Sequence, residues 1–231
     1  MLSRGTPQLP LALRFPADQR FSGFVGTPLA VEWLHATARS DRNDWAYLSG
    51  PGASGKTHLL LASAAAASEC GRRVAYLPLA SVRGRLRELL TQQEEADVIA
   101  LDGLDAIAGE RDDEVALFDF HNRARAAGSV VLYAARDVPS ALALSLPDLR
   151  SRLGQCIQLP LAVLDENGRR EVLRRRAELR GLVLEEAVLD YLFRRVGRDL
   201  ATLTTLLDRL DRASLAAQRR ITVPFLRGLL E

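Results

Sequence analysis

The segment Gly50-Pro51-Gly52-Ala53-Ser54-Gly55-Lys56-Thr57 matches G-x-x-x-x-G-K-[ST] without a gap. Such a loop works only where a strand runs into it and a helix starts from it. Its backbone N–H groups must turn inward as an anion nest, and the helix N-terminus must add its positive dipole end. The flanking residues supply both. Trp45-Ala46-Tyr47-Leu48-Ser49 reads as a buried strand, and Lys56 to Ser68 as an alanine-rich helix closed near Gly71. In that frame Lys56 reaches the terminal phosphates of an adenine nucleotide, the β-phosphate of ADP or the β- and γ-phosphates of ATP, and the Thr57 hydroxyl ligates Mg²⁺. Composition sharpens the point, because Lys56 is the one lysine among 31 Lys plus Arg. A compact ammonium on a flexible stem fits between phosphate oxygens where a guanidinium fork does not.

Short apolar runs alternate with helical patterns along the following hundred or so residues. Val74 to Leu77, Val98 to Leu101, Val130 to Ala134 and Cys156 to Leu159 read as strands; Val82 to Gln93 and Asp112 to Ala127 read as helices. An earlier helix starts at Thr27-Pro28, an N-cap followed by proline at the first helical position. Strands separated by helices predict an α/β fold: a parallel five-stranded sheet with right-handed crossovers and helices on both faces. Beyond Pro160 the strands stop. Three helices are expected over 165–180, 185–196 and 200–218, separated by Gly181 and Gly197, with a terminal piece near Pro224. The expected organisation is an extended arm over 1–20, punctuated by Pro7, Pro10 and Pro16, a nucleotide-binding domain over 21–160, and a small all-α domain over 161–231.

Nothing approaches the ~18 to 20 unbroken apolar residues of a membrane span, and no signal peptide is read at the N-terminus. Cys70 and Cys156 lie far apart and, with three scattered histidines, form no metal-ligand pattern, which suggests a reducing cytoplasm. A net charge of +2 does not by itself argue for nucleic acid.

An NTPase also needs a carboxylate at the end of a neighbouring strand to hold the metal, and Asp102, closing Val98-Ile99-Ala100-Leu101, is placed for it. The next residue is Gly103, where many P-loop ATPases carry a second acid that polarises water. Asp105 substitutes only if the backbone delivers it. Slow intrinsic hydrolysis is therefore expected, a weak ATPase at most.

With these parts in place, the chain from about Phe21 onward resembles the DnaA branch of the AAA+ proteins. Phe21-Ser22-Gly23-Phe24-Val25-Gly26 is similar to the F-x-x-F-V segment that lies near the adenine in that family, which implicates Phe24 and Val25. Asp148-Leu149-Arg150-Ser151-Arg152-Leu153 resembles the family's arginine-finger box, with Arg152 at the finger position. Gly197-Arg198-Asp199-Leu200 resembles its sensor-II turn, with Arg198 bearing on the nucleotide. In the arm, Gln8-Leu9-Pro10-Leu11-Ala12-Leu13 resembles the Q-L-x-L-x-L peptide that binds the sliding clamp of DNA polymerase, so Gln8, Leu9, Leu11 and Leu13 are the implied contacts. The chain ends soon after the helical appendage, so origin reading by a helix-turn-helix domain is not expected.

The combination resembles the Hda group of regulatory inactivators of DnaA. The resemblance implies a cytoplasmic negative regulator of replication initiation that holds ADP and contacts DNA indirectly through the loaded clamp. It would stimulate hydrolysis of DnaA-bound ATP through Arg152, acting in trans, with homo-oligomerisation left open. Two other classes stay open. One is an ATP-hydrolysing remodeller or helicase-loader relative in which Asp105 completes the site. The other is a scaffold that bridges clamp and client without a catalytic finger. The arginines 169, 170, 174, 175, 176 and 180 read either as a DNA-backbone contact or, preferably, as a helix face laced by i to i+4 ion pairs such as Glu171 with Arg175.

Overall fold

The computed structural model describes residues 15, 18–39, 44–195, 200–217 and 221–230. Five apolar segments form the strands β1 (Ala46–Ser49), β2 (Val74–Pro78), β3 (Val98–Asp102), β4 (Val130–Ala135) and β5 (Ile157–Pro160). They make one sheet in the order β2-β3-β4-β1-β5, every neighbouring pair parallel. The three central strands are buried on both faces almost throughout, which is why they read as unbroken apolar runs. At the β5 edge only Leu159 is buried.

Alternate side chains of the central strands feed two cores. Ala46, Leu48, Val98, Ala100, Val130 and Leu132 point to one face. There α1 (Pro28–Arg39) and α2 (Lys56–Glu69) add Leu34, Leu59 and Leu60. Tyr47, Ile99, Leu101, Val131 and Tyr133 point to the other. That face is covered by α3 (Leu86–Thr91), α4 (Arg111–Ala127) and α5 (Pro147–Gly154), which contribute Leu90, Leu117, Phe120 and Leu149. Burying one such leucine contributes about 1.5–3 kcal/mol, so this period-two sorting fixes which face each helix must occupy. The central β-carbons thus decide the layering before any loop is considered.

Two elements differ from the sequence expectation. The helix expected over 82–93 is confined to α3, because Gly84 takes φ +75° and its N–H donates to Asp113 Oδ2 at 2.8 Å. A left-handed residue with its amide committed elsewhere cannot sit inside a helix. The other is α5, a helix that the sequence reading does not include, although Pro147 at its start and Asp148 in its first turn are ordinary N-terminal signals.

After β5 the chain forms α6 (Glu166–Glu178), α7 (Glu186–Arg195), α8 (Leu200–Ala217) and α9 (Val223–Leu230). Asp165 caps α6 by accepting from the Gly168 N–H at 2.7 Å. These helices pack around their own core, which includes Leu173, Leu189, Leu192, Leu207, Leu210 and Leu226. The expected ends at Val196 and Gln218 lie outside the described residues. The arginines of α6 are largely engaged within the fold. Arg175 Nε meets Glu171 at 2.8 Å, Arg170 meets Asp190 at 2.8 Å and lies over the Phe193 ring, and Arg174 pairs with Glu186. That favours the ion-paired reading of this segment over a free basic face. Among the described residues no helix is long and apolar enough to cross a membrane.

Candidate functional site

The phosphate loop leaves β1 at Gly50, whose N–H donates to Ala135 O and Arg136 O at 3.3 and 3.0 Å. A Cβ at Gly50 would stand 2.3 Å from the Leu161 carbonyl oxygen, so only glycine lets the loop pass between β4 and the residue after β5. Gly55 precedes α2 at φ +92°, and a Cβ there would lie 2.6 Å from the Phe24 ring. The two glycines therefore answer to tertiary packing as well as to phosphate geometry. Lys56 folds back over the loop, its ammonium donating to Gly50 O at 2.5 Å, Pro51 O at 2.8 Å and Ser54 Oγ at 3.3 Å. Burial lowers its pKa, against the opposing pull of the Asp105 and Asp102 carboxylates. A loop that supplies acceptors to its own lysine holds the ammonium near where phosphate oxygens would replace them.

Thr57, exposed on the first turn of α2, donates its hydroxyl to Asp102 Oδ2 at 2.6 Å. Tyr76, from β2, donates to the same oxygen at 2.9 Å, and its own ionisation is pushed up by burial and by that carboxylate. The register explains this meeting: Pro78 pairs with Asp102, so Tyr76 stands on the adjacent strand two residues before that pair. Gly103 turns the chain at φ +82°, donating to Ala134 O at 2.9 Å. Asp105 then accepts from the Arg136 backbone N–H, so its carboxylate is committed to holding the end of β4.

These residues border an open cleft of about 470 Å³ whose wall includes Lys56, Thr57, Asp102, Asp105, Arg136 and Arg176. A smaller crevice of about 60 Å³ adjoins it, lined by Phe24, Val25, Leu164 and Val172; His58, Arg176 and Leu200 border both. Phe24 is nearly buried and meets the His58 ring edge-on at 5.4 Å, so it packs in the core as well as facing the crevice. His58 Nε2 lies 2.8 Å from Arg20 O, and burial lowers its pKa. Among the loop residues named from sequence, Gly50 and Pro51 line neither space, while Gly52, Ala53, Ser54 and Gly55 do.

Arg152 stands apart. It is exposed on α5 and lines neither space, and no hydrogen bond or ion pair of its guanidinium is found among the described residues. Glu114 anchors the start of its helix by accepting from Ser145 N at 2.9 Å, Ser145 Oγ at 2.8 Å and Leu146 N at 2.7 Å. Arg198 and the arm residues Gln8, Leu9, Leu11 and Leu13 lie outside the described residues.

Arg136 and Arg176 were missed from sequence. Arg136 follows an apolar strand, which was a usable signal: strand ends in open parallel sheets border ligand crevices. Arg176 falls four residues after Val172 on one helical face, but the surrounding run of arginines hid it.

Residues 46–161 match the profile of the ATPase family associated with various cellular activities, and residues 165–230 match that of the Hda lid domain. Domain III of the Thermotoga maritima replication initiation protein DnaA superposes with a TM-score of 0.76 at 20% identity, covering 92% of this chain and 95% of that one. AMPPCP-bound DnaA from Aquifex aeolicus gives 0.69 at 21% identity, with 85% of this chain aligned to 66% of that one. The Thermotoga maritima RuvB branch-migration motor gives 0.63 at 23% identity over 93% and 71%. The chain thus spans about two thirds of the AMPPCP-bound initiator it resembles. The body match covers half the chain, and the lid match continues it nearly to the C-terminus. This chain belongs to the AAA family of ATPases, with a C-terminal part that matches the Hda lid domain.

Proposed function

We propose that the chain is a cytoplasmic regulator of replication initiation that holds an adenine nucleotide, preferentially ADP, and activates hydrolysis of ATP bound to a DnaA partner. The phosphates lie in the loop from Gly50 to Thr57, and the base enters the crevice beside Phe24 and Val25. The AMPPCP carried by the Aquifex relative supports an adenine nucleotide as the ligand. Thr57 Oγ1 and Asp102 Oδ2, 2.6 Å apart, are hard oxygen donors of the kind Mg²⁺ takes with nucleotide phosphates. The metal would neutralise phosphate charge; Lys56 supplies the second cation and Arg198 a third from the lid. The arm peptide Gln8 to Leu13 tethers the protein to the DNA-loaded sliding clamp and raises its local concentration near DnaA. The body over 21–160 and the lid over 161–231 act as two domains closing on the nucleotide.

The carrying observation is the separation of Arg152 from the chain's own cleft. An exposed guanidinium without a partner among the described residues, on a well-anchored helix, is suited to act on a neighbour's γ-phosphate, an effect worth about 10³ to 10⁵ in rate. Gly103 and the commitment of Asp105 to Arg136 N–H both argue against strong intrinsic turnover and so against the remodeller reading. The test is hydrolysis of DnaA-bound ATP with DNA-loaded clamp, comparing the wild type with Arg152→Ala. Stimulation should vanish in the variant while nucleotide and clamp binding persist. Undiminished stimulation refutes the finger and leaves the scaffold reading, whereas steady ATP turnover by the isolated chain would restore the remodeller.

A further inference from the structure

The arginines of α6 and of the turn after it are not equivalent. Arg169, Arg170, Arg174 and Arg175 each have a close carbonyl or carboxylate partner, and Arg180 reaches Asp208 at 2.5 Å. Arg176 does not. Its nearest carboxylate, Asp18 Oδ2, is 3.7 Å from Nη1, beyond hydrogen-bond length, and is shared with Arg180 at 3.8 Å. Its side chain is 14% exposed, and its Nε is buried without a partner. A guanidinium so enclosed is costly unless an anion meets it, and burial pulls its pKa down accordingly.

Arg176 is also where the two spaces join, bordering both the phosphate cleft and the apolar crevice. A nucleotide with its terminal phosphates in the loop and its base in the crevice must carry its α-phosphate and ribose past this side chain. Gln19 lines the same cleft, and its Oε1 is a second buried atom without a hydrogen-bond partner. An orphaned donor and an orphaned acceptor in one wall match an anionic oxygen and a hydroxyl.

We propose that Arg176 is a nucleotide contact on the lid, binding an α-phosphate oxygen in place of its long pairing with Asp18, while Gln19 accepts from a ribose hydroxyl. The proposal rests on the nucleotide reading of the cleft. It makes occupancy legible at both ends of the chain, because Asp18 belongs to the segment leading in from the N-terminal arm and Arg176 to the lid. Asp18 and the nucleotide then compete for one cation.

That competition gives opposite signs to two neutralising substitutions. Calorimetric titration with ADP should show Arg176→Gln binding about ten- to hundredfold more weakly than wild type, the value of a charge-assisted hydrogen bond. Asp18→Asn should bind about two- to fivefold more tightly, since the competing carboxylate is gone. The double variant should match Arg176→Gln. If the Asp18–Arg176 pair is merely a structural brace, both single variants weaken binding, and the proposal falls. Wild-type affinity in Arg176→Gln also overturns it while leaving the nucleotide reading intact. If Asp18→Asn does not fold by circular dichroism, Arg176→Lys replaces it: a point charge lacking the fork should recover only part of the loss, and full recovery or none counts against the contact. Failure of the wild type itself to bind ADP would instead sink the nucleotide reading.

Discussion

At the scale of single residues, His121 is the side chain whose environment most directly sets a measurable pH response. It is 3% exposed, with Nδ1 3.0 Å from the Tyr133 hydroxyl and its ring edge-on to Trp45 at 4.4 Å. Burial, followed by the charges of Arg152 and Arg125, brings its pKa down to about 4. An unfolded histidine titrates near pH ~6.5. Between those values the unfolded chain takes up a proton that the folded chain refuses. The His121 contribution is therefore complete above about pH 6.5 and is lost as pH falls toward 4, by roughly 3 kcal/mol over the interval. Urea denaturation at a series of pH values should show this decline in the wild type. It should be reduced by that amount in His121→Gln, whose side chain does not titrate. Parallel curves would mean that His121 is not kept neutral. From sequence, His121 was one of three scattered histidines, because the partners that define it come from β4, α5 and the residue before β1. The phosphate loop was legible for the opposite reason: its chemistry is contained in eight consecutive residues.

At the scale of elements, the short helix α5 depends on a side chain far from it in sequence. Glu114, fully buried on the first turn of α4, accepts four hydrogen bonds: from Gly109 N at 2.7 Å, from Ser145 N and Oγ, and from Leu146 N. Burial pushes its pKa up, but these bonds outweigh that and hold the carboxyl below its ordinary range. One ionised group thus satisfies the turn before α4 and the residues leading into α5. Glu114→Ala leaves those part-buried donors without their acceptor, and a stability loss of about 1–3 kcal/mol is expected in urea denaturation. Glu114→Gln should lose less, because an amide oxygen still accepts. Glutamine should also lower stimulation of the partner's ATPase while leaving ADP affinity unchanged, since the anchored helix carries Arg152 and lies outside the cleft. An unchanged stability in Glu114→Ala would show that the turn is held by other means. A run such as Arg-Asp-Asp-Glu reads as an acidic helix start, favourable to the dipole. Nothing in it separates the buried acids from the exposed Asp112, because their partners lie far along the chain on both sides: Gly84 before for Asp113, and Ser145 and Leu146 after for Glu114.

At the scale of the whole molecule, the alternation of strands and helices made the parallel sheet legible. The placement of β1 between β4 and β5 was not, because periodicity carries no information on which neighbour a strand chooses. The relation of body to lid was equally hidden, and it is in part polar. Each has its own apolar core, while polar contacts between them run through α6 and the turn after it: Arg175 Nη1 donates to Phe24 O at 3.0 Å and Ser22 O at 3.4 Å, and Arg176 and Arg180 face Asp18. Interfaces of this kind favour relative motion of the parts they join. The charge pairs are also partly open to solvent, so salt weakens them where it leaves apolar cores intact. Hydrogen exchange of the nucleotide-free protein should therefore quicken at the amides of α6 when ionic strength rises from about 0.05 M to about 0.5 M, whereas the amides of β1, β3 and β4 should hold their rates. A hundredfold excess of ADP over its Kd stabilises the bound state by about 2.7 kcal/mol, and α6 should regain its protection in high salt. Equal quickening of sheet and lid would mean that the two open as one cooperative unit. A lid indifferent to both salt and ADP would mean that the guanidinium contacts to the body do not govern its closure.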